Sequence, residues 1–173
     1  ERMAAESGTA DYGRLSVSAQ HYGEVEVCEI VPREAFDPQP AVQSAIVRVT
    51  PRAPDYEVDD EAFFLDFVKA LFTQRRKTIR NGIRNTAHIS GLSDPEAVVE
   101  AADEDVLRKR AGNMAPAEFA QLAELAADVA EVQRVREFVD DHARAAQLVV
   151  DQVAAEERVG GRRVEPAHAL EHL

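Results

Sequence analysis

Across residues 51–60 the hydrophobic period of this chain changes from two to about 3.6, and no other feature limits its fold as strongly. Upstream, Glu24-Val25-Glu26-Val27-Cys28-Glu29-Ile30-Val31 alternates polar with apolar, the pattern of a strand with one buried face. Ser44-Ala45-Ile46-Val47-Arg48-Val49-Thr50, rich in β-branched residues, is a second strand candidate. Downstream, Phe64, Phe67, Val68, Leu71 and Phe72 form a helical stripe, with Asp59 or Asp60 placed to cap its start. The stretch between is proline-bearing and acidic, a linker in composition. The expected fold is α/β over residues 1–52, a small all-α domain over 53–127, and an extension over 128–173.

Local signals fill in this outline. Residues 1–5 read as the end of a helix closed by Ser7-Gly8, and residues 12–22 as a helix stopped by Gly23. Asp94-Pro95 and Ala115-Pro116-Ala117-Glu118 look like helix starts, with Pro first and an acid in the first turn. From Phe119 to Val159 neither Gly nor Pro intervenes, and Leu122, Leu125, Val129, Val132, Val135, Phe138, Val149 and Val153 fall at mostly helical intervals. One or two long helices would satisfy that pattern, and residues 160–173, without periodicity, are expected to fray.

Composition narrows the classes. Lys69, Lys77 and Lys109 are the only lysines beside 17 arginines, against 32 acids and a formal net charge of -12, a balance that reads as salt-adapted. An acidic surface in such a proteome serves solvation, so net charge does not exclude an anionic partner. No apolar run is long enough to span a membrane, and the first residues lack the character of a secretory signal, which predicts a soluble cytoplasmic protein. Cys28 is the single cysteine, so no disulfide and no thiolate metal site is expected, and it reads as a half-buried strand residue. A first residue of Glu rather than Met predicts missing sequence upstream.

Two constellations could carry chemistry. Residues 67–93 contain Lys69, Arg75, Arg76, Lys77, Arg80 and Arg84 and no acid. If that segment is helical, Arg76, Arg80 and Arg84 lie along one face, with Ile79 and Ile83 turned to the core. Guanidinium groups suit bidentate phosphate contacts, so the row is either a nucleic-acid surface or an ordinary solvated helix face. Asn81 and Asn85 add hydrogen-bonding groups between the arginines. In the loop between the strands, Phe36 stands among Pro32, Pro38 and Pro40, either as a stiff platform for an extruded base or as a core anchor.

These residues also carry a resemblance. Asp11-Tyr12-Gly13-Arg14-Leu15-Ser16-Val17, then Val31-Pro32 to Phe36-x-Pro38-x-Pro40-x-Val42-x-Ser44, then Leu71-Phe72-Thr73-Gln74-Arg75-Arg76-Lys77-Thr78, then Lys109-Arg110 to Pro116-Ala117-Glu118-Phe119, occur in the order seen in the KsgA and Erm family of RNA adenine dimethyltransferases. Residues 1–127 resemble the KsgA-type branch, in an archaeal, salt-adapted form. The resemblance implies the C-terminal strands and helices of a Rossmann-like methyltransferase domain, followed by a helical rRNA-docking domain. It implies an enzyme that uses S-adenosylmethionine to dimethylate N6 of two adjacent adenines near the 3′ end of small-subunit rRNA, on the assembling small subunit. Phe36 then matches the aromatic that stacks on the flipped adenine, Pro38 and Pro40 the loop that holds it, and Arg75, Arg76 and Lys77 the start of the docking domain.

The sequence departs from the family pattern as well. No glycine-rich loop follows a strand, and no Asn-Leu-Pro-Tyr element occurs. The chain by itself is therefore expected to bind no S-adenosylmethionine and to be inactive. The rival readings are a non-catalytic RNA-binding module acting in small-subunit assembly, and an interaction protein built on the long C-terminal helix.

Overall fold

A computed structural model describes residues 1–160, and the chain divides into one compact unit, Glu1–Glu131, and a second that begins at Val132. The first unit opens with a single 3-10 turn, Arg2–Ala4, where the sequence suggested the end of a longer helix. Helix α1, Arg14–Tyr22, starts where the Ser16 hydroxyl accepts the Gly13 N–H at 3.0 Å, and it stops at Gly23. Gly23 sits so close to the next strand that a Cβ would lie 2.5 Å from the Thr50 carbonyl oxygen, so only glycine fits there.

Strands β1, Gly23–Val31, and β2, Ser44–Pro51, pair antiparallel as a two-stranded ribbon. Gly23 stands opposite Pro51 and Val27 opposite Val47, but Glu29 then meets Ile46, so Cys28 is an extra residue at a bulge. That bulge corrects the expectation for Cys28, which is exposed and not half-buried. The alternation that looked like one buried face is also only partly covered. Ile30, Ile46 and Val49 are exposed, as is Val42 in the loop before β2, and an open cleft of about 920 Å³ is lined by Leu15, Ile30, Val42 and Val47 among others.

Four helices follow: α2, Glu61–Thr73; α3, Ile79–Ser90; α4, Pro95–Ala101; and α5, Glu104–Arg108. The starts of α2, α4 and α5 are capped by side chains, since Asp60 accepts the Phe63 N–H, Asp94 the Ala97 N–H and Asp103 the Asp105 N–H. Helix α3 ends at Gly91, whose φ of 76° is left-handed and suits glycine. The core joins Tyr12 and Val17 to Phe64, Phe67, Leu71, Ile83, Leu107 and Phe119. Gly82 lets α3 approach α2, since a Cβ there would meet Leu71 Cδ2 at 2.9 Å.

Helix α6 runs from Pro116 to Gly160 and realises the expected long helix as a single element. The expected fraying of the last residues falls, from residue 161 on, outside the described residues. No helix of the described residues is long and apolar enough to cross a membrane.

Candidate nucleic-acid interface

Helix α2 ends at Thr73, and the Gln74 and Lys77 N–H groups close a turn onto the Leu71 and Gln74 carbonyls. Thr78 is extended and forms an isolated bridge with Arg110, while the Ile79 N–H donates to the Lys109 carbonyl at 2.8 Å. This bridge corrects the expectation of one continuous arginine-bearing helix. Arg75, Arg76 and Lys77 lie in the turn, and only Arg80 and Arg84 share a face of α3. Residue spacing of four meant nothing once an extended residue, Thr78, interrupted the helix.

The two groups of arginines sit in different surroundings. Arg84 holds Glu96 of α4 bidentately, Nε to Oε1 at 2.7 Å and Nη2 to Oε2 at 2.6 Å. Arg80 pairs with Glu104 of α5, which also accepts from Arg108 at 3.0 Å. The Arg84 hydrogen bond lowers the Glu96 pKa, and the bond from Arg108 together with the charge and hydrogen bond of Arg80 does the same for Glu104. Reciprocally, the Glu96 hydrogen bond raises the pKa of Arg84. The acid-free window of the sequence is thus not acid-free in space. Asn81 and Asn85 are exposed on the same helix.

Arg75 and Arg76, by contrast, open onto a cleft of about 420 Å³ completed by Arg110, Gly112, Asn113 and residues 8–10, and no acid lines it. Three hydrogen bonds fix its walls. Arg75 Nη2 donates to the Ala10 carbonyl at 2.8 Å, the Gly8 N–H to the Gly112 carbonyl at 2.7 Å, and the buried Tyr12 hydroxyl to the Met114 carbonyl at 2.7 Å. Burial raises the Tyr12 pKa, so the hydroxyl stays protonated and remains a donor. Arg76 and Arg110 have no carboxylate partner among the described residues. Lys77 is exposed beside the cleft without lining it. Three guanidinium groups over a cleft without carboxylates form an anion-accepting surface.

Phe36, Pro38 and Pro40 lie in the loop between β1 and β2. A 3-10 turn, Arg33–Ala35, precedes Phe36, whose N–H donates to the Arg33 carbonyl at 3.3 Å. Across the loop, Glu34 accepts from Arg33 and from Gln39, both at 3.2 Å. Phe36 is 42% exposed and lies outside the core. Among the described residues no group of His, Cys, Asp and Glu could hold a metal ion.

The family model for ribosomal RNA adenine dimethylase matches residues 1–128. The chain belongs to that family. It is 70% identical over 126 residues to a probable ribosomal RNA small subunit methyltransferase A of Halobacterium salinarum, covering 73% of this chain and 45% of that protein. A Methanosarcina acetivorans protein of the same description is 42% identical over 128 residues, 74% of this chain and 48% of its own length. The chain therefore spans about half the length of these relatives. A dimethyladenosine transferase from Plasmodium falciparum shares the fold, with a TM-score of 0.58 at 21% identity over 70% of this chain and 52% of that one.

Within the dimethylase match lie the Phe36 loop, the turn arginines and Arg110, whereas α6 continues past its end. Sequence reasoning gave Arg110 no role, because nothing local shows that residue 110 returns to residues 75 and 76. It also left unseen that Glu96 and Glu104 cover Arg84 and Arg80.

Proposed function

We propose that this chain is the RNA-holding part of a KsgA-type rRNA adenine N6,N6-dimethyltransferase. In this reading it docks on small-subunit rRNA within the assembling small subunit, in the cytoplasm, and presents Phe36 as the platform for each of two adjacent adenines near the 3′ end. The observation that carries the reading is the cleft of Arg75, Arg76 and Arg110, whose lining holds three guanidinium groups and no carboxylate. Guanidinium forks can clasp backbone phosphates bidentately, and such contacts supply most sequence-independent RNA affinity. Arg80 and Arg84 contribute less in this account than their position in the sequence suggested, because each already holds a glutamate.

Phe36 supports the second half of the reading. An exposed aromatic ring on a loop braced by Pro32, Pro38 and Pro40 and by the Glu34 contacts can accept an unstacked base with little ordering cost.

The methyl donor, S-adenosylmethionine, does not fit the residues of this chain. Among the described residues, the connection from a strand to an α-helix, β2 to α2 through residues 52–60, contains no glycine and carries Asp55, Glu57, Asp59 and Asp60. Such a loop offers no close-approaching backbone and repels a carboxylate. No step is therefore assigned to the donor here, and its chemistry, the supply of an electrophilic methyl group, falls to the part of the longer relatives that this chain does not match. The exposed apolar residues of the ribbon, Ile30, Ile46 and Val49, agree with that division, since two strands alone make a marginal sheet.

The test joins this chain to the preceding half of a close relative. Phe36→Ala should lower the single-turnover methylation rate about tenfold to a hundredfold, as expected from roughly 1–3 kcal/mol of base stacking. Affinity for rRNA should change far less. An unchanged rate in a folded variant would remove the stacking role. Calorimetric titration of the 173-residue chain with S-adenosylmethionine should show no saturable binding, and micromolar binding would contradict the division of labour.

A further inference from the structure

Helix α6 leaves the family match at residue 128 without interruption, and its next turns are unusually apolar on the outside. Val132, Val135, Phe138 and Val139 are 54%, 53%, 62% and 56% exposed. Val132, Val135 and Val139 succeed one another at intervals of three and four, so they share a face, and Phe138 widens it. Scattered surface apolar residues need no explanation, but a contiguous stripe over two turns does. The three-and-four spacing is that of a coiled-coil seam.

We propose that a second copy of this chain covers the stripe, in a parallel, in-register, two-stranded coiled coil. Val132 and Val139 occupy the first core position of successive heptads, and Val135 and His142 the second. β-branched residues at the first core position favour two strands over three or four. The flanking charges choose the orientation. In a parallel pair the residue before the first core position faces, on the other strand, the residue five places later, so Glu131 meets Arg136 of the second copy, twice by symmetry. An antiparallel pair sets each flanking position against the same position of the other strand, so Glu131 and Arg136 would not meet. Phe138 occupies the same flanking position one heptad on and faces Ala143 of the second copy, a residue small enough to leave room for the ring. That ring is already oriented, its centroid 3.9 Å from the His142 ring, whose Nδ1 lies 2.8 Å from the Phe138 carbonyl oxygen. The proposal is independent of the reading given for the arginine cleft.

Sedimentation equilibrium of the full chain at about 0.15 M salt, where the Debye length is about 8 Å, tests it. A concentration-dependent dimer is expected. Val135→Glu with Val139→Glu should abolish the dimer and leave the unfolding of the rest of the chain unchanged, because both side chains are exposed. Arg136→Glu should weaken dimerisation about three- to tenfold, since exposed ion pairs are each worth roughly 0.2–1 kcal/mol and two are replaced by repulsion. Adding Glu131→Arg to that variant should restore the original affinity. A monomer at every concentration, or a dimer that survives the two valine substitutions, would overturn the proposal. A charge swap that fails to restore binding would overturn the parallel register.

Discussion

The turn that carries Arg75 and Arg76 and the helix face that carries Arg80 and Arg84 are neighbours in one acid-free run of sequence, yet they differ in what their guanidinium groups can do. On α3 each arginine is met by a glutamate delivered from the next helices, Glu96 from α4 and Glu104 from α5. In the turn, Arg76 meets no carboxylate among the described residues, Arg75 spends one N–H on the Ala10 carbonyl, and Arg110 arrives from a distant segment to make a third cation. A local excess of positive charge is therefore a weak guide to an anion-binding surface. The stronger guide is whether the tertiary fold returns acids to it, because a carboxylate already holding the fork competes directly with a phosphate.

The largest effect is expected from making the cleft resemble the helix face. Gly112→Glu introduces a carboxylate beside Arg75, and its Cβ would stand 3.7 Å from Arg75 Nε, an ordinary contact, so the fold should tolerate it. Binding of a small-subunit rRNA fragment, followed by fluorescence anisotropy, should weaken about tenfold, the equivalent of about 1.4 kcal/mol. Affinity equal to that of the original chain would mean that the cleft does not meet RNA.

Next in size is loss of the bond that holds two walls of the cleft. Tyr12→Phe removes the donor to the buried Met114 carbonyl and should cost about 1–3 kcal/mol, read as a lower urea midpoint with an unchanged slope. An unaltered midpoint would show that other contacts hold residues 8–14 against residues 110–114.

The reverse conversion, making the helix face resemble the cleft, should have a smaller effect. Glu96→Gln together with Glu104→Gln uncovers Arg84 and Arg80, and rRNA affinity should rise about twofold to threefold with a steeper salt dependence. No change would mean that α3 does not face RNA even when its arginines are available.

The smallest effect concerns acid. The pKa values of Glu96 and Glu104 are lowered in the folded chain, so their pairing stabilises it fully above the ordinary carboxylate range and is lost as pH falls through the lowered values. The difference in Tm between the original chain and the doubly substituted one should therefore be greatest near neutrality and vanish in acid. A difference that grows on acidification would reverse the assignment.

How much of this was legible in the sequence follows from how far apart the deciding residues are. The caps at Asp60 and Asp94, the prolines that open α4 and α6, and the change of period after β2 were readable, because each acts within a few residues of itself. The bulge at Cys28 was not, since an extra residue leaves the alternation on either side intact and shows only in the pairing with β2. The break at Thr78 was hidden for a similar reason. A run from Phe64 to Ile83 can be read as one continuous helical pattern, and the bridge that interrupts it depends on Arg110, far along the chain. The candidate site divides the same way. Phe36 stood out by its prolines, whereas Arg110 and the two covering glutamates became visible only once the helices were packed.

The most direct measurement compares two substituted chains in one salt titration of rRNA-fragment binding. Arg75→Gln, Arg76→Gln and Arg110→Gln together should weaken binding and reduce the slope of log affinity against log salt by about two to three units, nearly one for each phosphate that is no longer neutralised. Arg80→Gln with Arg84→Gln should leave affinity and slope close to those of the original chain. If the second pair removes as much affinity and slope as the first three, or the first three remove none, the distinction between cleft and helix face is wrong.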